Sequence, residues 1–267
     1  MMNRIRLDQL LTRKGLAPSR EKAQALTLAG RVLVNNQPAL KPGQLVSPDS
    51  EITIEEQFPY VSRGGAKLEE GLKAFAVDVR DKIALDIGSS TGGFTDCLLQ
   101  SGARKVYAVD VNIRQLDWKL RQDSRVLPLE KNARYLQPED LAEKPELVVI
   151  DVSFISVLKI LPAVKKIMTW GDLLVLIKPQ FEAGRNQVGK KGIIRDSLVH
   201  REVLEKVLTG ARAQGFAVKG LRACQTLGQK GNREFLAWLT AGGEGLSPED
   251  IRKKIQEILA DGPQKKN

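Results

Sequence analysis

Histidine is nearly absent. His200 is the only one in 267 residues, which excludes a multi-histidine metal centre and leaves a serine–histidine–acid triad one candidate base. Two cysteines, Cys97 and Cys224, make neither a zinc cage nor a secreted disulfide framework. Apolar runs such as Leu173-Leu174-Val175-Leu176-Ile177 fall far short of the ~18 residues of a membrane span. The opening Met-Met-Asn-Arg-Ile-Arg-Leu-Asp has no apolar core of a signal peptide. Acidic residues are in deficit, 32 Asp+Glu against 42 Lys+Arg, for a net charge of +10. That excess favours a polyanionic partner, nucleic acid before an acidic membrane surface. A soluble, reduced, cytoplasmic protein without metal or membrane partner is the expectation.

What is present divides near residue 59. Residues 1–41 hold eight basic side chains (Arg4, Arg6, Arg13, Lys14, Arg20, Lys22, Arg31, Lys41) against Asp8 and Glu21, more than half of the chain's positive excess in about a sixth of its length. Two short helices fit there: one over Leu7–Lys14 stopping at Gly15, one after an N-capping Ser19 running to Gly30. A strand at Val32–Val34, a turn at Asn35-Asn36 and return strands over Gln44–Ile54 complete it. Residues 60–66 read as a linker into a helix at about Lys67. From there strands at Ile83–Ile87, Val106–Val111, Val126–Leu129, Leu147–Val152 and Leu173–Ile177 alternate with helices, which predicts a largely parallel sheet covered on both faces. Ala217–Leu221 and Phe235–Leu239 follow without an intervening helix, as an antiparallel hairpin. The domain body is expected over 67–245, with a C-terminal helix and frayed tail over 246–267.

Asp86-Ile87-Gly88-Ser89-Ser90-Thr91-Gly92-Gly93-Phe94 is a strand end, a small-residue loop and a helix start. Such a loop is either a tight turn or a cradle where backbone N–H groups approach a ligand. A second strand ends in Asp110, followed by Val111, placed to accept hydrogen bonds from ribose hydroxyls. The spacing departs from Gly-x-Gly-x-x-Gly, no Gly-Lys-Ser/Thr follows, and the two acids favour S-adenosylmethionine. Asp151 and Lys178 end neighbouring strands on one sheet edge, where ligands of open α/β sheets bind; a snorkelling lysine is the plainer reading of the latter. No Asn/Asp-Pro-Pro-aromatic follows Asp151, against amine methylation. Arg63, Arg185, Lys190 and Lys191 add basic groups that either clamp RNA phosphates or are simply solvated. Cys97 and Cys224 are read as buried inert thiols, His200 as a surface residue, and Trp118, Trp170 and Trp238 as core or partial core.

Five motifs in order then carry a resemblance: Ser62-Arg63-Gly64-Gly65-Ala66-Lys67, Ser90-Thr91-Gly92-Gly93-Phe94, Asp151-Val152-Ser153-Phe154, Lys178-Pro179-Gln180-Phe181 and Gly231-Asn232-x-Glu234, preceded by Arg6-Leu7-Asp8-x-Leu10-Leu11. The chain resembles the TlyA family, an S4 RNA-binding domain joined to an FtsJ-like ribose 2′-O-methyltransferase. The resemblance implies a Rossmann-like seven-stranded S-adenosylmethionine-dependent domain with a small α+β S4 domain. It implies a Lys67, Asp151, Lys178, Glu234 tetrad and adenine contacts from Asn132 and Ala133. It also implies ribosomal RNA or ribosomal subunits as partner, with a cytidine ribose as target. A lysine can serve as base only in its neutral form, which a second lysine nearby favours. Rival expectations are a non-catalytic RNA-binding protein and a membrane-active haemolysin-like protein.

Overall fold

A computed structural model describes residues 4–28, 31–54, 59–189, 192–228 and 231–260. The chain forms two compact units, Met1–Phe58 and Pro59–Asn267.

The first unit contains β1 (Ile5–Arg6), α1 (Leu7–Arg13), α2 (Arg20–Leu28), β2 (Val32–Val34), β3 (Gln37–Pro38), β4 (Leu45–Val46) and β5 (Ile52–Ile54). Strand β1 pairs antiparallel with β4, and β2 lies between β3 and β5. Asn35 and Asn36 both take positive φ, the geometry of a two-residue hairpin whose twist matches its strands. Gly15 leaves α1 at φ +69°, and Ser19 Oγ accepts from Lys22 N at 3.2 Å at the start of α2. Leu7, Leu10, Leu11, Ala23, Leu26 and Val32 form this unit's own core.

The second unit runs α3 (Arg63–Phe75), β6 (Ile83–Ile87), α4 (Gly93–Gln100), β7 (Lys105–Asp110), α5 (Trp118–Gln122), β8 (Val126–Glu130), β9 (Leu147–Ile150), α6 (Leu161–Ile167), β10 (Asp172–Ile177), α7 (Pro179–Glu182), α8 (Ser197–Ala213), β11 (Phe216–Ala223), β12 (Phe235–Ala241) and α9 (Pro248–Ala260). Its seven strands lie in the order β11-β12-β10-β9-β6-β7-β8. Only the pairings of β12 with β10 and β11 are antiparallel. Every residue of β6 is buried because both faces are covered. Ile83, Leu85 and Ile87 join one core with residues of α6, α8 and α9, whereas Ala84 joins a second with residues of α3 and α4. That division is the two-residue period of a strand read in three dimensions. Each fully buried leucine or isoleucine contributes roughly 1.5–3 kcal/mol. Successive connections leave β6 in opposite directions, to β7 and β8 on one side and to β9 and β10 on the other, so the switch point lies at its C-terminal end.

Three expectations are corrected. Helix α3 starts at Arg63, four residues before Lys67, with Gly65 used for close packing rather than as a breaker. A Cβ on Gly65 would strike the Tyr60 ring, and one on Gly93 would strike Ser62 Oγ. His200 is not at the surface: it is 4% exposed, with its ring edge toward Phe235 at 5.6 Å. It shares the face of α8 that carries Val203, Leu204, Val207 and Ala211, an i, i+3, i+4, i+7 pattern. Burial holds its imidazole below the ordinary histidine range. Trp118 and Trp170 are exposed, because one opens a five-residue helix and the other sits in the bend before β10. Trp238 is partly buried, its Nε1 donating to Asp172 Oδ1 at 2.8 Å. Both cysteines are buried; burial pushes the Cys97 thiol up to about 12 and the Cys224 thiol up as well.

Candidate active site

An open crevice of ≈ 800 Å³ lies across the C-terminal ends of β6, β7, β9 and β10 and the first turns of α3 and α4. Its floor is the loop after β6. The N–H groups of Gly88 and Ser89 donate to the Val109 carbonyl at 2.8 and 3.1 Å, folding the loop across β7. Gly88 has φ +87°, and a Cβ there would meet the Asp151 carbonyl oxygen; only glycine lets the β6 and β9 ends approach this closely. The Asp110 carboxylate accepts from Ser90 N and Asn112 N, each at 3.0 Å, which fixes it at the crevice wall.

Of the residues expected to hold a cofactor, Gly88, Ser89, Ser90, Thr91, Gly93, Phe94, Asp110, Val111, Asn132, Ala133 and Asp151 line the crevice. Two do not. Gly92 (φ +96°) lies against Leu120 and Leu116, where a side chain would clash. Asp86 is fully buried and accepts from Thr95 Oγ1 at 2.6 Å. Burial, with the neighbouring Asp151 and Asp110 charges, pushes its carboxyl up to about 7. Ser89 Oγ and Asp86 Oδ1 are buried without a hydrogen-bond partner among the described residues. Asp110 and Asp151 flank the glycine loop at the crevice wall, and Asp86 lies buried behind it. The Asp110 carboxylate beside the loop's backbone N–H groups suits a ligand that carries ribose hydroxyls.

The four tetrad residues all line the same crevice, joined in two ion pairs. Lys67 Nζ lies 2.6 Å from Glu234 Oε2, with side chains 10% and 3% exposed. Gly71 places this lysine: the missing Cβ would sit 3.0 Å from both Leu174 and Leu236, so α3 rests directly on the sheet. Glu234 precedes β12, and Gln180 Nε2 donates to its Oε1 at 3.3 Å. Lys178 Nζ lies 2.5 Å from Asp151 Oδ1. That oxygen has ion-pair distance without hydrogen-bond alignment; the aligned bond of Lys178 goes to Ser153 Oγ at 3.1 Å. The register explains the meeting, since Val175 of β10 pairs with Ile150 of β9.

Sequence reasoning missed several lining residues: Gln115, Lys131, Ser153, Gln180, and the pair Phe154 and Phe181. Phe154 is 90% exposed at φ +63°, its ring 4.8 Å from that of Phe181. A large apolar residue directly after Asp151-Val152-Ser153, at a strand end, was the available signal. Arg63 lines the crevice. In the first unit Arg4, Arg13, Lys14, Arg20 and Lys22 are exposed, and Arg6 and Arg31 half-buried. Lys190, Lys191 and the Arg185 side chain lie outside the described residues. Among the described residues no cluster of histidine, cysteine and acid could hold a metal ion, and no helix is long and apolar enough to cross a membrane.

Comparison with known proteins agrees with both units. The family model of the FtsJ-like methyltransferase matches residues 60–241, and that of the S4 domain matches residues 5–52. The chain is 40% identical over 268 residues to the "16S/23S rRNA (cytidine-2'-O)-methyltransferase TlyA" of Mycobacterium tuberculosis, covering 98% of this chain and 100% of that protein. It is 42% identical over 236 residues to "Hemolysin A" of Brachyspira hyodysenteriae, covering 87% of this chain and 98% of that one. A solved structure from Streptococcus thermophilus, described as a "Putative hemolysin", has 44% identity and a TM-score of 0.74 over 98% of each chain. With both family models matched in order and a relative aligned along its full length, the chain belongs to the TlyA family, an S4 domain followed by an FtsJ-like methyltransferase domain.

Proposed function

We propose that the protein transfers a methyl group from S-adenosylmethionine to the 2′-hydroxyl of a cytidine ribose in ribosomal RNA, in the cytoplasm. The observation that carries this reading is the convergence of two lysine–carboxylate pairs on one crevice beside a glycine loop and Asp110. Support for the substrate comes from the relative whose name specifies cytidine-2′-O methylation of rRNA.

The crevice fits the cofactor: Asp110 for ribose hydroxyls, Asn132 and Ala133 for the adenine, and the small-residue loop for close approach of its backbone. S-adenosylmethionine, when bound, supplies an electrophilic methyl group on a sulfonium. The chain's own residues handle the hydroxyl. Lys178 Nζ, held by Asp151 and Ser153, is the group placed to accept its proton, and Asp151 stabilises the ammonium that results. Lys67, locked by Glu234, presents a fixed cation to the ribose-phosphate around the reacting oxygen. No covalent enzyme intermediate is required, in keeping with buried cysteines whose thiols are held protonated. The S4 unit supplies most of the salt-sensitive RNA affinity.

The test uses the full chain with methyl-labelled S-adenosylmethionine and ribosomal RNA or subunits. Wild type incorporates label, and a variant lacking residues 1–58 binds cofactor normally while incorporating little. Absence of label in every ribosomal substrate would overturn the proposal.

A further inference from the structure

Asp8 is a carboxylate where charge is costly. Its side chain is 0% exposed, and an isolated buried charge of this kind is strongly unfavourable. It is offset by five donors. Oδ1 accepts from Arg6 Nε at 3.1 Å and Gln9 N at 2.9 Å. Oδ2 accepts from Arg6 Nη2 at 2.8 Å, Arg20 Nε at 3.0 Å and Gln24 Nε2 at 3.0 Å. These partners hold the carboxyl well below the usual carboxylate range.

What the two arginines do with the rest of their surface is more telling. A buried acid needing neutralisation would be served by one enclosed arginine. Here two are used, and their side chains stay 42% and 48% exposed. Both meet Asp8 through the Nε edge, which leaves Nη1 of Arg6 and both Nη groups of Arg20 without a partner among the described residues. Two guanidinium groups repel each other unless an anion lies between them. Gly43 keeps the space open: a Cβ there would sit 2.9 Å from Arg6 Nη1. Beside the pair is a shallow depression lined by Ile5, Gln9, Thr12, Arg13 and Arg20.

We infer that Asp8 is a positioning residue that gathers Arg6 and Arg20 into a preformed seat for a phosphodiester of the RNA strand. The inference rests on the proposed action on ribosomal RNA. Guanidinium forks whose orientation is fixed before binding lose less freedom when they engage phosphate oxygens.

The consequence runs against simple charge. Asp8→Asn raises the net charge of the chain by one, so undirected attraction predicts tighter RNA binding. Positioning predicts weaker binding. With the full chain and ribosomal RNA at one fixed salt concentration, Asp8→Asn is expected to raise Kd about tenfold while S-adenosylmethionine affinity stays unchanged. Arg6→Lys with Arg20→Lys keeps both charges and removes the forks, and is expected to lose a similar factor. Adding Asp8→Asn to that pair should cost nothing further, because residues acting as one unit are not additive. An Asp8→Asn protein that binds as tightly as wild type or tighter overturns the inference, as does a second tenfold loss on top of the lysine pair. Amide exchange at Leu10, Leu11 and Ala23 reports whether the unit stays folded. If Asp8→Asn abolishes that protection, Arg6→Lys with Asp8 intact decides: a tenfold loss supports the seat and wild-type affinity overturns it. Failure of the wild-type chain to bind ribosomal RNA would instead remove the proposed function, and the inference with it.

Discussion

Removing one member of the Lys67–Glu234 pair should cost far more stability than removing both. The two side chains are 10% and 3% exposed and 2.6 Å apart. In Lys67→Met the Glu234 carboxylate keeps, among the described residues, only the Gln180 amide at 3.3 Å. Leaving one charge of a buried pair unpaired costs about 3–5 kcal/mol, whereas replacing both by apolar groups is often neutral. For a unit of this size each kcal/mol moves Tm by about 2–4 °C, so Lys67→Met should melt about 6–20 °C below wild type. Lys67→Met with Glu234→Leu should return to within about 4 °C of it. Methyl transfer should remain lost in both, because the fixed cation is gone from the crevice. The assay is thermal unfolding of the full chain, following the transition that S-adenosylmethionine shifts upward. A double variant as unstable as the sum of the two single ones would refute the reasoning, since the pair would then not be a closed electrostatic unit.

Lys178→Ala should lower the rate about 10²- to 10⁴-fold with cofactor and rRNA binding little changed. Lys178→Arg should not restore it, because a guanidinium stays protonated; near-normal single-turnover rates with arginine would make Lys178 an electrostatic anchor only. Asp86 gives a pH signature. Its carboxyl is raised from 3.8 to about 7 in the folded chain, so between these values the folded state holds the extra proton and this group's contribution to stability falls as pH rises. Asp86→Asn should flatten that part of the denaturant-measured profile, by at most about 4 kcal/mol between pH 4 and 7; an unchanged slope relative to wild type would contradict a buried, proton-binding Asp86. Gly88→Ala should weaken both cofactor affinity and rate, because the new Cβ displaces the Asp151 backbone and the left-handed φ adds about 1–3 kcal/mol of strain; calorimetry giving wild-type affinity would show that the β6–β9 approach is not needed.

The parts of the molecule written in local patterns were legible. Apolar runs of strand length gave the sheet, small residues after Asp86 gave the loop, and the parallel order of β9 and β10 implied that Asp151 and Lys178 end side by side. Pairings between distant segments were not. Lys67 and Glu234 are 167 residues apart; the family resemblance put both in one tetrad, but they meet because β12 inserts between β10 and β11, an order no periodicity encodes. Gly64 and Gly65 look like a break in sequence, yet Gly65 within α3 packs against the Tyr60 ring, and Gly93 lets α4 start against Ser62 and Gly65. His200 could have been found from its spacing to Val203, Leu204 and Val207; its polarity concealed a place on an apolar face. The role of Asp8 was hidden for a similar reason, since an acid in a basic segment reads as an exception until its five donors are seen.

The central claim is that the crevice methylates a ribose hydroxyl, and the identity of the product nucleoside tests it most directly. Ribosomal RNA methylated by the full chain with labelled S-adenosylmethionine is digested to nucleosides and separated. The account predicts label in 2′-O-methylcytidine, at a site resistant to alkaline cleavage, and none with Lys178→Ala. Label on a base carbon or nitrogen, or equal labelling by Lys178→Ala, would contradict it.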